Sequence, residues 1–158
     1  MSNDFVKPYQ ECLSMAFEHY EKFLEICGDD AWKEKAGGWT LAQQFYHGLL
    51  AANMFINSIC GKSAPNPNPE AGQILAKPEV LPSKEQAAEF FANIKISCQG
   101  MFESLQDESL LKKNEMVSQK FGRDVINAVV LELMANHLLY HLGSCDAALR
   151  NRNLPGSW

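Results

Sequence analysis

The chain has 158 residues and a formal charge of −5, enough length to bury one substantial core. Its longest basic cluster is the pair Lys112-Lys113, so it carries no electrostatic footprint for nucleic acid, and the acidity reads as an ordinary solvated surface. No apolar run approaches the roughly 20 residues that span a bilayer, and the N-terminus, MSNDFVKPYQ, lacks the basic-then-apolar pattern of a signal peptide.

The five cysteines (Cys12, Cys27, Cys60, Cys98 and Cys145) are odd in number and form no CxxC pair. That argues against a zinc ribbon, a thioredoxin-like redox site and c-type haem attachment. Free thiols in a reducing cytoplasm are the expectation.

In chain order, Phe5, Tyr9, Leu13, Phe17, Tyr20 and Leu24 recur at helical spacing, predicting a first helix from Asp4 to about Cys27, stopped by Gly28. Thr40 and Gln43 in GGWTLAQQ form a capping box that opens a second helix to about Cys60, ended by Gly61. Residues 61–83 hold five of the seven prolines and read as one long linker. Ser83 with Gln86 caps a third helix to about Leu105. The polar stretch QDESLLKKNEMVSQKFG is a connection with a helical turn inside it, and the last helix is predicted from near Gly122 to about Asn151.

No strand-like alternation and no internal repeat stands out. The expected fold is all-α: a four-helix bundle, one domain over residues 1–158. Fully extended, the linker reaches roughly 75 Å, well beyond the ~30 Å length of a 20-residue helix. It therefore allows helices two and three to run parallel through a long crossover.

Two of the four histidines, His137 and His141, stand one turn apart beside the stripe Val125, Ile126, Val129, Val130, Leu133 and Met134. At that spacing two imidazoles can converge on one ion. A hydrogen-bonded pair of interior histidines is the other open reading, although burying two imidazoles without a shared purpose is costly. A third ligand must come from another helix. His47 lies two turns into helix two, nearly opposite the stripe Leu41, Phe45, Leu49, Ala52 and Ile56, so the helical wheel does not itself aim it at the pair. His19 sits at the margin of the first helix's stripe. Cys145 continues the His137–His141 row but lies ~12 Å along the axis from His137, too far to share its ion.

WTLAQQFYH, followed some way downstream by HLLYHLGSCDAALRNRNLPG, resembles the DinB-like superfamily, which includes the YfiT-type metal-dependent hydrolases. The resemblance covers nearly the whole chain in helix order, and its specific part is His47, then His137-x3-His141 and the Gly143 that follows. It implies a four-helix bundle whose three histidines hold nickel, zinc or another divalent ion near one end. On this chain those positions match His47, His137 and His141. It also implies a homodimer, a small-molecule substrate and diverse activities, among them thiol-dependent S-transfer with a low-molecular-weight thiol cosubstrate. One departure is visible: Ser144 stands where relatives commonly carry glutamine, so no particular reaction follows from the family.

Other metal bundles fit less well. No glutamate stands three residues before any histidine, as a di-iron site requires. HExxH is absent because position 138 is leucine. The leading expectation is a metal-dependent enzyme, a hydrolase or a thiol S-transferase, with an open coordination position. The alternative is a non-catalytic bundle whose metal is structural, adventitious or absent. No residue stands out as general base. Glu132, Asp146, Arg150 and Arg152 read as solvated or dipole-offsetting charges. DNA binding has no support in the composition.

Overall fold

The computed structural model describes residues 3–36, 38–72 and 77–158. Four long helices carry the fold: α1 (Lys7–Ile26), α3 (Leu41–Cys60), α4 (Lys84–Ser104) and α7 (Asn127–Asn151). Between them lie three short helices, α2 (Asp29–Trp32), α5 (Asp107–Leu110) and α6 (Glu115–Phe121), and a two-residue hairpin of β1 (Lys35–Ala36) and β2 (Trp39–Thr40). The all-α bundle matches the expectation.

Both capping boxes form. The Thr40 hydroxyl accepts from Gln43 N while the Gln43 side chain accepts from Thr40 N, and Ser83 with Gln86 repeats the exchange. Each box satisfies two main-chain N–H groups that a helix start leaves without intrahelical partners. At its far end α3 stops on Gly61 at φ 71°, a left-handed cap.

Two helix starts and one small hairpin differ from the sequence reading. The first helix starts at Lys7 rather than Asp4, with a proline in its first turn, where the missing N–H costs nothing. The last helix starts at Asn127 rather than near Gly122, because Gly122 at φ 65° closes α6. Residues beyond it turn back to pair with the loop before α6, Asn114 N donating to Val125 O and Asn127 N to Lys112 O. The third is the hairpin itself, too short for its alternation to register in sequence.

Around the bundle α1 touches α7, α7 touches α3, α3 touches α4 and α4 touches α1. Tyr46 and Phe90, both early in their helices, pack with ring centroids 5.1 Å apart. Ile59 and Met101, both late, line one cleft. Helices α3 and α4 therefore run parallel, as the crossover allows. Gln44, early in α3, meets His141, late in α7, so that pair is antiparallel. Tyr20, Phe23 and Phe45 fill the centre, with Tyr20–Phe45 and Phe23–Phe45 centroids at 4.7 and 5.5 Å. Buried aromatic pairs of this kind add about 0.5–1.5 kcal/mol each beyond their area.

The described part of the crossover is tied to α3. Asn53 makes two hydrogen bonds to Ala64, donating to its carbonyl at 3.1 Å and accepting from its N–H at 2.7 Å. Tyr46 Oη donates to Asn66 Oδ1 at 2.5 Å. Residues 73–76 of the linker expected over 61–83 lie outside the described residues. No described helix is long and apolar enough to cross a membrane.

Candidate metal centre

Antiparallel packing of α3 on α7 sets His47 against the pair that helical spacing had already brought together on α7. Ring centroids are 4.6 Å apart for His137–His141, 4.8 Å for His47–His141 and 5.4 Å for His47–His137. One nitrogen from each ring lies within 4.8 Å of the others, and the group could hold a metal ion. Nitrogens bound to one zinc at ~2.1 Å stand roughly 3.4 Å apart in a tetrahedral shell. The cluster thus needs to contract by at most about 1.4 Å, within the reach of small side-chain rotations.

Hydrogen bonding shows which nitrogens are free. His47 Nδ1 donates to the Gly72 carbonyl at 3.0 Å, and His141 Nδ1 donates to Gln44 Oε1 at 2.6 Å. Carbonyl oxygens only accept, so each of these rings keeps its proton on Nδ1 and an unshared pair on Nε2. His137 Nε2 is buried and has no hydrogen-bond partner. A buried imidazole nitrogen without a partner costs about 1–3 kcal/mol, and a cation bonded there would remove that cost. Donation of Nδ1–H to a carbonyl is also how metal-binding histidines are usually oriented. The donor set fits a divalent ion.

Electrostatics favour neutral rings. Burial, then His137 and His47, push His141 down to about 3. Burial, followed by His47 and Lys120, also lowers His137. Neutral imidazole is the form that binds metal. Trp39, carried on β2, lies parallel to His141 at 5.8 Å between centroids and edge-on to His47 at 5.1 Å, walling the cluster from one side. Beside the histidines a cleft of about 740 Å³ opens, lined by His47, His137, Met54, Phe55, Leu133 and Lys120 among others.

Other candidates are placed elsewhere. His19 Nδ1 meets the Ser157 carbonyl at 2.7 Å, and its ring packs on Trp158. Cys145 is fully buried and points to the Leu41 carbonyl, and burial pushes its thiol far up, so it supplies no reactive sulfur. Glu132 is exposed. Asp146 corrects the sequence reading: it is buried rather than solvated, accepting from Arg150 Nε at 2.7 Å and from the Ser157 main-chain N–H and hydroxyl. Burial alone would raise its carboxyl, but the bonds from Arg150 and Ser157 together hold it below the ordinary value. Arg150 is thus engaged with Asp146, and Arg152 forms an ion pair with Glu34. Ser144 Oγ donates back to the Tyr140 carbonyl, at 3.4 Å.

Sequence reasoning missed Gln44, Gly72 and the placement of Trp39. Only the i, i+3 relation of Gln44 to His47 could have flagged the glutamine. Gly72 is reached through tertiary contact alone: at φ 76° it passes so close to α3 that a Cβ there would lie 2.8 Å from Leu50 Cδ1.

No protein-family model and no curated protein matches the sequence. Among solved structures, a DinB-like protein from Bacillus cereus ATCC 10987 superposes with a TM-score of 0.72 at 21% identity, covering 96% of this chain and 95% of that one. The chain has the DinB-like fold.

Proposed function

We propose that His47, His137 and His141 bind one divalent ion, zinc or nickel, through their Nε2 atoms, and that the chain is a metal-dependent enzyme of the hydrolase or thiol S-transferase class. The observation that carries this reading is His137 Nε2, buried without a partner beside two rings whose Nδ1 protons are already committed. Bound there, such an ion would supply Lewis-acid chemistry, lowering the pKa of water or of a thiol cosubstrate toward neutrality.

The chain's own residues set the conditions. Gln44 and Gly72 hold two rings in the required tautomer. Trp39 limits solvent on one side while the cleft admits a small-molecule substrate on the other. Three side chains leave a four-coordinate ion one open position, as in catalytic zinc sites. Among the described residues no fourth histidine, cysteine, aspartate or glutamate stands with the three. A cytoplasmic homodimer belongs to the same proposal.

Cobalt(II) titration tests it. The visible spectrum should saturate at one equivalent per chain and change when azide or a small thiol is added. A spectrum indifferent to every added ligand would indicate a closed, structural site. A folded protein that binds no cobalt would favour a non-catalytic bundle.

A further inference from the structure

The cleft beside the histidines has direction. Helix α3 runs from His47 to Met54, seven residues or about 10 Å along its axis. Because α7 is antiparallel, its residues from His137 back to Leu133 descend the same way. The floor between them is apolar, with Leu50, Met54, Phe55 and Leu133. At the far end α6 supplies Lys120, whose ammonium donates to Met54 Sδ at 3.4 Å. Apart from the histidines, Lys120 is the only ionisable side chain among the described residues lining the cleft. It has no carboxylate partner among those residues either. A thioether is a weak acceptor for an ammonium, so this solvent-facing cation lies beside an apolar trough with no carboxylate of the described residues neutralising it, in a protein whose net charge is negative.

We propose that the cleft binds an elongated amphipathic anion, its acidic end at Lys120 and its apolar body along Met54 and Leu133, so that its opposite end lies at His47 and His137. A body of that length corresponds to a medium-chain acyl or an aryl-alkyl group. What happens at the histidine end rests on the metal-centre reading; binding along the trough does not.

The test uses metal-free, full-length protein and calorimetric titration with octanoate, octanol and octylammonium. Octanoate should bind more tightly than octylammonium. Replacing Lys120, which is exposed and not part of the core, should weaken octanoate about fivefold in Lys120→Met, the scale of one solvent-accessible ion pair. Octanol should be unaffected, and Lys120→Arg should restore the preference. Octanoate binding no tighter than octylammonium, or a preference that survives Lys120→Met, would overturn the proposal. Zinc affinity measured separately by chelator competition decides the metal reading: zinc bound without an octanoate preference sinks only the cleft proposal, and the reverse result sinks only the metal centre.

Discussion

Gln44 follows the capping Gln43 in sequence, yet its oxygen reaches across to His141 Nδ1 at 2.6 Å. It thereby fixes that ring from the neighbouring helix. Outer-shell partners of metal-binding histidines typically contribute 10- to 100-fold in affinity. Gln44→Leu should therefore weaken zinc binding about tenfold in a competition titration, whereas Gln44→Glu, which keeps the acceptor, should retain most of it. Equal losses in both variants would show that the contact only packs. The depressed histidines make a second prediction, on stability of the metal-free protein. With folded-state values below the ordinary 6.5, and about 3 for His141, the unfolded chain binds protons first as pH falls. Their contribution is complete above about pH 6.5 and is lost progressively below it. The urea midpoint should fall between pH 7 and pH 5, and His141→Gln should flatten that fall. Asp146 also loses stability on acidification, but only below its ordinary 3.8, outside this window.

Helix contacts convert these side-chain facts into a site. A Cβ at Gly48 would lie 2.2 Å from the Tyr20 hydroxyl, which donates to the Leu138 carbonyl at 3.1 Å, so this glycine lets α1, α3 and α7 meet right beside the histidines. Gly48→Ala should cost roughly 1–3 kcal/mol, the usual penalty for overfilling a packed core. In a Tyr20→Phe background the cost should shrink, because the next nearest ring atom is at 3.4 Å. Strictly additive urea-denaturation energies would contradict that coupling. Much at this scale was legible in the sequence. Thr40–Gln43 and Ser83–Gln86 announce helix starts by local hydrogen bonding, and His137 and His141 are joined by the helical repeat itself. His47 was not placed by its own wheel, because α3 is covered on more than one side: the Leu41–Phe45–Leu49 stripe packs into the core while His47, Leu50 and Met54 face the cleft. Gln44, Gly72 and Trp39 reach the cluster through contacts between elements, which periodicity does not encode.

Across the whole molecule, the aromatic centre around Tyr20, Phe23 and Phe45 and the capped helix starts hold the bundle independently of the histidines. Chelation should therefore leave the helical circular dichroism nearly unchanged at room temperature, unlike a zinc finger, whose fold depends on its ion. The descending α3 and α4, joined by the crossover, flank one another so that α3 is also free to lie against α7, and that adjacency unites His47 with His137 and His141. The most direct test of the central claim is anomalous diffraction from a zinc-soaked crystal. One peak is expected, about 2.1 Å from Nε2 of all three histidines, with no fourth side chain bound. A peak that excludes any of the three, or no peak at the cluster at saturating zinc, would contradict it.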